Sequence, residues 1–346
     1  MQLADVGRAE LRPFGHQHQR IGLLHGFVLV LHEHQVTVFL SLTRHHARRR
    51  VLRLRIVGAY LGTGLQQRLH QRDYSFTAHA KDIYHQYEEP VQLDLKIRDA
   101  AFTITVSDYN VDYLRTHFGA PTDRTHRIYN GLDLSAFPYH PPINRPSHVV
   151  AVGRLVEKKG FPFLIEAIGL LRDRGIDCRC TLVGDGPMRP LLQKQIEDLK
   201  LTDRVQLAGV RPLTEVSAFL KGAAVLVAPS IISEGGDRDG LPTILVEGMA
   251  LGTPCISTQV VGIPELIRDH ETGLCVPPND AKALADAIAE MLGNPTMARL
   301  LADNARALIE SEYDVHRNTA RLRDLFARSI QVVDAQHAAH RPNAVE

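Results

Sequence analysis

The sequence is short of cysteine, of long apolar runs and of net charge, and each shortage narrows what the protein can be. Its four cysteines, among 346 residues, form no C-x-x-C pair, so we expect buried reduced thiols rather than a disulfide framework. The longest apolar stretch, residues 21–31, contains His25 and is too short for a membrane-spanning helix, which needs about 20 residues. No small-residue cleavage site follows it, so we expect no secretion signal. The cysteines are Cys178, Cys180, Cys255 and Cys275.

The net charge is also small, at +1 from 40 basic and 39 acidic residues, which argues against a body built to neutralise a phosphate backbone. That balance hides a break in composition. Residues 1–72 contain 11 Arg, 8 His and no Lys against Asp5, Glu10 and Glu33, a net charge of +8. The first lysine is Lys81, and the residues after 72 carry a net charge of −7.

Two interpretations of this Arg/His-rich segment stay open. It is either a basic arm that binds nucleic acid or an acidic membrane, or a stretch that is weakly structured or is not a genuine reading frame at all. Abundant Arg, His, Gln and Leu without Lys is typical of a GC-rich gene read out of register. We predict β-like patches at Phe27–Leu31 and Val36–Leu40, but the turn signals and helix patterns are too weak to predict a fold.

From residue 73 onward the sequence alternates strand and helix patterns, which predicts an α/β fold with parallel sheets covered on both faces. A proline-rich stretch, Pro138 to Pro146, separates the remnant of a first domain at 73–140 from a second domain at 146–310. A C-terminal helix follows within 311–338. Ligands of such sheets lie beyond the carboxyl ends of the strands, so the loops there should carry the chemistry.

The predicted elements can be given by residue. In the first domain they are a strand at Ser75–Ala78, a helix reaching about Tyr87, a helix at Leu93–Ala101, a strand at Phe102–Val106 and a helix capped by Ser107 and ending near Phe118. The predicted strands of the second domain are His148–Val152, Arg179–Val183, Val205–Leu207, Val225–Ala228, Cys255–Ser257 and Leu274–Val276. Its predicted helices are Phe161–Arg174, Met188–Leu199, Leu213–Lys221, Thr243–Ala250, Ala281–Leu292 and Met297–Glu310, and the last helix of the chain is placed at Asp314–Val333.

The loop after the first strand of the second domain runs from Gly153 to Gly160 and holds Arg154 and Lys159 near the start of a helix. Two cations beside a helix N-terminus make an anion site, because the free backbone N–H groups and the helix dipole favour negative charge as well. An ordinary solvated loop is the alternative. The next loop, Gly184-Asp-Gly-Pro187, lacks the third glycine of a dinucleotide motif, and we interpret it as a structural turn lining the cleft.

A third region contains two carboxylates with seven residues between them, Asp239 and Glu247, and Gly240 and Pro242 open a helix in that interval. Glu247 lies on an otherwise almost wholly apolar helix, which should be buried. A buried carboxylate without a partner is unfavourable, so we expect it to accept hydrogen bonds from a sugar or ribose diol. The alternative is an exposed Glu on that helix with Asp239 acting as its cap.

In this order, the loops resemble the family 4 glycosyltransferases of the GT-B fold, most of all those of exopolysaccharide and colanic-acid-type pathways. The similarity covers about residues 73–328 and rests on Gly153-Arg154, Lys159-Gly160, Gly184-Asp-Gly-Pro187 and the Asp239-x7-Glu247 pair. It implies two Rossmann-like domains with parallel sheets, the N-terminal one incomplete, and a C-terminal helix that crosses back to the first domain.

The resemblance also implies an activity: transfer of a hexose, with retention of configuration, from a UDP- or GDP-sugar to a glycan or lipid-linked acceptor. The nucleotide-sugar is a substrate, so no cofactor and no metal are expected. Nor is a nucleic acid partner expected. We expect a cytoplasmic protein with a peripheral contact to the inner membrane.

Individual roles follow from the resemblance. Arg154 and Lys159 would hold the pyrophosphate and neutralise the departing nucleoside diphosphate, in place of a divalent cation. Asp239 would touch the hydroxyls of the donor sugar, although it is one methylene shorter than the Glu usual in the motif. Glu247 would bind the ribose, and the backbone N–H groups of Gly240 and Leu241 would extend the phosphate site.

Two further donor-site residues are expected from the same similarity. Arg211 follows the strand at Val205–Leu207, in a loop that approaches the nucleotide. His79 lies in the run Phe76-Thr-Ala-His-Ala-Lys-Asp82, which is similar to the segment that places a His near the donor sugar. We expect His79, Arg154, Lys159 and Asp239 to serve the reaction itself.

The departure from the family lies in residues 1–72, which lack its first strand and glycine-rich loop. A catalytically impaired, truncated copy that only binds nucleotide is therefore an alternative to an active enzyme. An epimerase of the same shape would need other acidic residues facing the sugar, and these are not found. A nucleic-acid-binding protein would show salt-dependent affinity residing in the first 72 residues.

Overall fold

The computed structural model describes residues 21–24, 27–32, 35–40, 74–84, 93–121 and 123–339 of the chain. It divides into two compact units, residues 1–56 and residues 57–346. The first unit contains a three-stranded antiparallel sheet in the order β1-β2-β3. These strands are β1 (Ile21–Leu24), β2 (Phe27–His32) and β3 (Gln35–Leu40). The two predicted β-like patches are thus strands, whereas β1 was not predicted.

The second unit begins with a three-stranded parallel sheet, β4-β5-β6, which we call the N-terminal half together with its helices. Its elements are β4 (Ser75–Ala78), α1 (Ala80–Tyr84), α2 (Leu93–Asp99), β5 (Phe102–Thr105), α3 (Asp108–Phe118) and β6 (Thr125–Arg127). The predicted helix to Tyr87 is described only as far as Tyr84, and the residues beyond it lie outside the described range. Strand β6 was not predicted.

Helix α3 begins and ends where its sequence dictates. The Ser107 side chain accepts a hydrogen bond from the backbone N–H of Asn110 at 3.1 Å, which confirms the predicted N-cap. At the other end Gly119 adopts a left-handed conformation with φ 60°, as glycine often does after the last helical turn. The N-terminus of α3 is therefore fixed directly after β5.

The C-terminal half of the second unit is a six-stranded parallel sheet in the order β12-β11-β10-β7-β8-β9. Its strands are β7 (His148–Val152), β8 (Arg179–Val183), β9 (Val205–Gly209), β10 (Val225–Ala228), β11 (Cys255–Thr258) and β12 (Leu274–Val276). The helices are α4 (Phe161–Asp173), α5 (Arg189–Asp198), α6 (Leu213–Gly222), α7 (Thr243–Ala250), α8 (Ile263–Leu266), α9 (Ala281–Gly293) and α10 (Pro295–Glu312). Every predicted strand and helix of this half is present, most within two residues of its predicted ends.

Helices cover both faces of this sheet, because successive side chains of each strand point to opposite sides. In β10, Val225 and Val227 pack into one core cluster with α4, α5 and α9, while Leu226 and Ala228 pack into a second with α6, α7 and α10. All four cysteines are buried free thiols, as expected.

The last helix, α11 (Val315–Ala339), follows α10 and returns to the N-terminal half. Its Phe326 packs edge-on against Phe102 of β5, with ring centroids 5.1 Å apart. Where the chain crosses, the Leu132 N–H donates to the Tyr313 carbonyl at 2.7 Å and the Val315 N–H donates to the Leu132 carbonyl at 3.1 Å. Within the described part of the chain, no helix combines the length and the apolar character needed to span a membrane.

Candidate active site

The glycine turn after β8 supports the loop that carries Arg154. A Cβ atom on Gly184, whose φ is 136°, would lie 1.9 Å from the carbonyl oxygen of Gly153, and one on Gly186 would lie 2.5 Å from that of Leu155. In return the Leu155 N–H donates to the Asp185 carbonyl at 2.9 Å. These contacts agree with the interpretation of Gly184-Asp-Gly-Pro187 as a structural turn.

The loops after β7 and β10 also meet closely. Gly160 has φ 63°, and a Cβ atom there would lie 1.9 Å from the carbonyl oxygen of Pro229. Next to this contact the Ile231 N–H donates to the Lys158 carbonyl at 2.9 Å. Only glycine combines that backbone conformation with that approach, so Gly160 brings the lysines of one loop to the carboxylates of the other.

Lys159 and Asp239, predicted to serve the same pocket, are ion-paired with each other. The Lys159 Nζ atom lies 2.6 Å from Asp239 Oδ2, and the Ser230 hydroxyl donates to the same oxygen at 3.1 Å. Both side chains are largely shielded, with 19% of Lys159 and 12% of Asp239 exposed. The ion pair fixes the positions of both charged groups. An incoming anion can replace Asp239 as the partner of Lys159.

Lys158 is a further cation at this position that the sequence analysis missed. Its Nζ lies 3.0 Å from Asp237 Oδ1 and 3.7 Å from Asp239 Oδ1. The signal was present in the adjacent Lys158-Lys159 pair and in a second aspartate two residues before Asp239. The result is a compact cluster of two lysines and two aspartates.

Arg154 has a different environment. Its side chain is exposed, and among the described residues none forms an ion pair or a hydrogen bond with its guanidinium. The backbone beneath it is fixed, since the Gly153 N–H donates to the Val183 carbonyl at 2.9 Å. Arg154 is therefore a cation on a rigid loop, available to an anionic ligand.

Glu247 is buried in α7, with 8% of the residue exposed. Within the described ranges no hydrogen-bond donor or cation contacts its carboxylate, and burial raises its pKa from 4.5 to about 7. The predicted burial of this helix and its carboxylate is thus observed, and the alternative of an exposed Glu does not hold. An unpartnered buried carboxylate is costly to keep and is typical of a binding or catalytic site.

Gly240 connects this half to the N-terminal half. A Cβ atom on Gly240 would lie 3.0 Å from the Cβ of Ala80, and its carbonyl accepts a hydrogen bond from the Gly262 N–H at 3.2 Å. In the described structure the N–H groups of Gly240 and Leu241 donate to no protein acceptor. Because Ala80 follows His79 directly, the two predicted site segments lie side by side.

His79 stands at the end of β4, half-buried, with its backbone N–H donating to Asp82 Oδ2 at 2.9 Å. Burial lowers the pKa of its imidazole, and Asp82 opposes that effect. A neutral ring is therefore favoured near pH 7, and a neutral imidazole both donates and accepts a hydrogen bond.

A buried chain of hydrogen bonds behind His79 was not predicted. The Tyr84 hydroxyl donates to Asn110 Oδ1 at 2.7 Å, the Asn110 amide donates to Thr105 Oγ1 at 3.0 Å, and that hydroxyl donates to the Ala78 carbonyl at 2.8 Å. Above it, the Arg238 guanidinium lies 4.7 Å from the centre of the Tyr84 ring. The only sequence signal was polar residues inside otherwise apolar elements.

Arg211 is not brought to the other residues by any described contact. Its Nε donates to the Ala208 carbonyl at 3.0 Å, and its guanidinium lies 3.5 Å from Glu215 on α6. Across the described ranges, no three His, Cys, Asp or Glu side chains are grouped as a metal site.

Comparison with known proteins shows what the chain is similar to. The family model described as "Glycosyl transferases group 1" matches residues 139–308. The C-terminal half is a group 1 glycosyltransferase domain. The chain is 38% identical over 174 residues to the putative colanic acid biosynthesis glycosyltransferase WcaL of Escherichia coli, covering 49% of this chain and 43% of that protein. It is 31% identical over 212 residues to the amylovoran biosynthesis glycosyltransferase AmsK of Erwinia amylovora, covering 61% and 52%.

A solved structure shows the fold. Anabaena Alr3699/HepE, solved in complex with UDP, superposes with a TM-score of 0.64 at 21% identity, over 76% of this chain and 74% of that one. The glycosyltransferase domain and the half before it thus form the expected GT-B fold, with parallel sheets. The chain spans about half the length of the curated relatives it matches.

Proposed function

We propose that this protein is a retaining hexosyltransferase of exopolysaccharide biosynthesis, which moves a sugar from a UDP- or GDP-sugar to a glycan or lipid-linked acceptor. The observation that carries the proposal is the buried carboxylate of Glu247, which has no partner among the described residues and lies on α7, the helix that follows the loop in which Asp239 pairs with Lys159. The names of the relatives support the pathway, and the UDP bound to the HepE structure supports the donor class.

In this proposal the donor exchanges an internal ion pair for its own contacts. The diphosphate takes Lys159 from Asp239 and also meets Arg154, so two cations face the charge that grows on the leaving group without a metal ion. Released from Lys159, Asp239 turns to the hydroxyls of the donor sugar. Glu247, once ionised, accepts two hydrogen bonds from the ribose diol.

The N-terminal half supplies the opposite wall. His79 follows β4 and lies next to Ala80, which is in close approach to Gly240. A neutral imidazole here hydrogen-bonds to the donor sugar or to the attacking acceptor hydroxyl. The N–H groups of Gly240 and Leu241, which have no acceptor in the part of the chain that the structure describes, add donors to the phosphate site.

The test uses the purified full chain, with calorimetric titration of UDP- and GDP-sugars and detection of released nucleoside diphosphate. We expect Arg154→Ala and Glu247→Ala each to weaken donor binding at least about tenfold, the loss of one charge-assisted hydrogen bond. Arg179→Ala, an exposed arginine at the opposite edge of the sheet, is the matched control and should bind normally.

The outcomes separate the candidates. Donor-dependent product with retained anomeric configuration, assigned by NMR, supports the proposal. Donor binding without any release or transfer supports instead the impaired copy that only binds nucleotide. Equal binding by Arg154→Ala, Glu247→Ala and the unsubstituted chain refutes the site.

A further inference from the structure

Glu265 of the short helix α8 reaches from the glycosyltransferase domain to the N-terminal half. Its Oε2 accepts hydrogen bonds from the Asp108 N–H at 2.9 Å and from the Tyr129 hydroxyl at 2.9 Å, and its Oε1 accepts from the Tyr109 N–H at 2.8 Å. The two amides begin α3, where backbone N–H groups have no partner inside the helix. A carboxylate is favoured there by the helix dipole as well.

The phenol completes this contact as a donor. Burial, then the neighbouring Glu265, raise the pKa of Tyr129, so its hydroxyl keeps its proton. The Arg127 guanidinium lies over the same ring, 4.0 Å from its centre. Glu265 therefore receives three hydrogen bonds from a part of the chain more than 130 residues away in sequence.

The residues just before Glu265 lie in close contact with the N-terminal half. A Cβ atom on Gly262 would lie 2.6 Å from the Cβ of Ser107, the N-cap of α3. Val261, with φ 50°, packs against the core of the N-terminal half. A β-branched residue in the left-handed region is strained, and such strain persists only where the surroundings hold it.

The same segment also touches the candidate active site. The Gly262 N–H donates to the carbonyl of Gly240 at 3.2 Å. Gly240 directly follows Asp239 in the sequence, and it is the residue that lies close to Ala80. Residues 261–265, which we call the cross-cleft segment, therefore contact α3 on one side and the Asp239 loop on the other.

We infer that Glu265 is a positioning residue, which fixes the N-terminal half, and with it the His79–Ala80 segment, against the Asp239–Gly240 loop. The effect of Glu265 on turnover rests on the proposed function. Its role in holding the two halves together does not depend on that function. Glu265 touches no reacting atom in the proposed reaction. It acts through the start of α3 and through Gly262.

The side chain must be a carboxylate for this role. Three donors converge on its two oxygens, and an amide of the same shape would turn an NH₂ group towards one of them. Glu265→Gln is thus nearly isosteric but mismatched. Asp280→Ala is the control, because Asp280 caps α9 through the Ala283 N–H at 2.8 Å and makes that contact inside the glycosyltransferase domain alone.

The first measurement is hydrogen–deuterium exchange on the full chain, which needs neither donor nor activity. We expect Glu265→Gln to speed exchange at residues 108–109 at least about tenfold, and to speed it measurably at residues 79–84, which Glu265 does not touch. Asp280→Ala should change neither segment. Unchanged exchange at 108–109, or a change confined to 108–109 with 79–84 unaffected, overturns the inference.

The second measurement separates positioning from folding. In the proposed function the free nucleoside diphosphate contacts residues of the glycosyltransferase domain alone, so we expect its affinity to stay within about twofold in Glu265→Gln. Turnover also needs the N-terminal half in place, so we expect kcat/KM for the sugar donor to fall at least about tenfold. Equal kcat/KM in the variant and the unsubstituted chain overturns the role in turnover. If the unsubstituted chain binds no nucleotide-sugar, the proposed function fails, and the exchange at 79–84 still decides the structural part.

Discussion

The clearest quantitative expectation concerns Glu247→Gln, which should stabilise the protein while removing its donor site. In the folded protein the Glu247 carboxylate has a pKa of about 7, against 4.5 when it is hydrated. The folded state therefore binds a proton more tightly than the unfolded chain, and stability falls as pH rises from about 4.5 to about 7. Each tenfold difference in proton affinity is worth about 1.4 kcal/mol, so the full loss above pH 7 is about 3 kcal/mol.

Glutamine has no charge to desolvate, so its variant should escape that loss. We expect the difference in melting temperature, Glu247→Gln minus the unsubstituted chain, to rise between pH 5 and pH 8.5. Since 1 kcal/mol corresponds to about 2–4 °C in a domain of this size, the rise should be roughly 6–12 °C. Comparing two pH values cancels the constant energy of burying the amide.

The assay is a thermal melt of both proteins across that pH range without ligand, beside a donor titration. The control is Glu166→Gln on the exposed face of α4, where water solvates carboxylate and amide alike, so a flat difference is expected. Donor binding should weaken in the unsubstituted chain as pH falls below about 7, because a protonated carboxyl loses an acceptor. A melting difference that is the same at pH 5 and pH 8.5 refutes the reasoning.

Three further changes test the backbone and the charges of the site. Gly160→Ala should destabilise the protein by about 1–3 kcal/mol more than Gly175→Ala, because both positions have positive φ but only the first meets a backbone oxygen; chemical denaturation compares them. Ser107→Ala should lower stability by about 1 kcal/mol through the lost cap of α3, visible as faster hydrogen exchange along that helix. Lys159→Ala should weaken nucleoside diphosphate binding at least about tenfold by calorimetry, while Lys194→Ala on the surface of α5 should not.

Each of these has an outcome that contradicts it. An equal loss of stability in Gly160→Ala and Gly175→Ala would mean that the loops after β7 and β10 can move apart without strain. Unchanged exchange along α3 would show that its N-terminus is held by other contacts. Equal nucleotide affinity in the two lysine variants would remove the cation site from the proposal.

The glycosyltransferase domain could be predicted closely because its signals are local. Strand β10 is a short apolar run, and Pro242 marks the start of α7, so both elements have their predicted bounds. The four-residue helix α8 and the three-residue strand β6 are too short to show a period, and both were missed. Strand β9 extends to Gly209 through an irregularity in its pairing with β8. No pattern in the sequence predicts that irregularity.

The candidate site could be predicted in its residue types but not in its pairing. The motif indicated Lys159 and Asp239 as separate contacts of one ligand, whereas the structure joins them directly, because the close approach at Gly160 is a tertiary contact. Glu265 gave no signal for the same reason, since its partners lie in the other half. Arg211 carries the charge that was expected, but Glu215 of the following helix, α6, supplies a carboxylate for it.

The crossing of the chain between the two halves has a mechanical consequence. The outgoing connection at Leu132 and the returning one at Tyr313 and Val315 are hydrogen-bonded side by side, and a Cβ atom on Gly131 would lie 2.3 Å from the Cα of Val315. Because the two connections between the halves are joined at one place, that place acts as a hinge. We therefore expect any opening between the halves to be a rotation about that hinge, widest at the rim farthest from it.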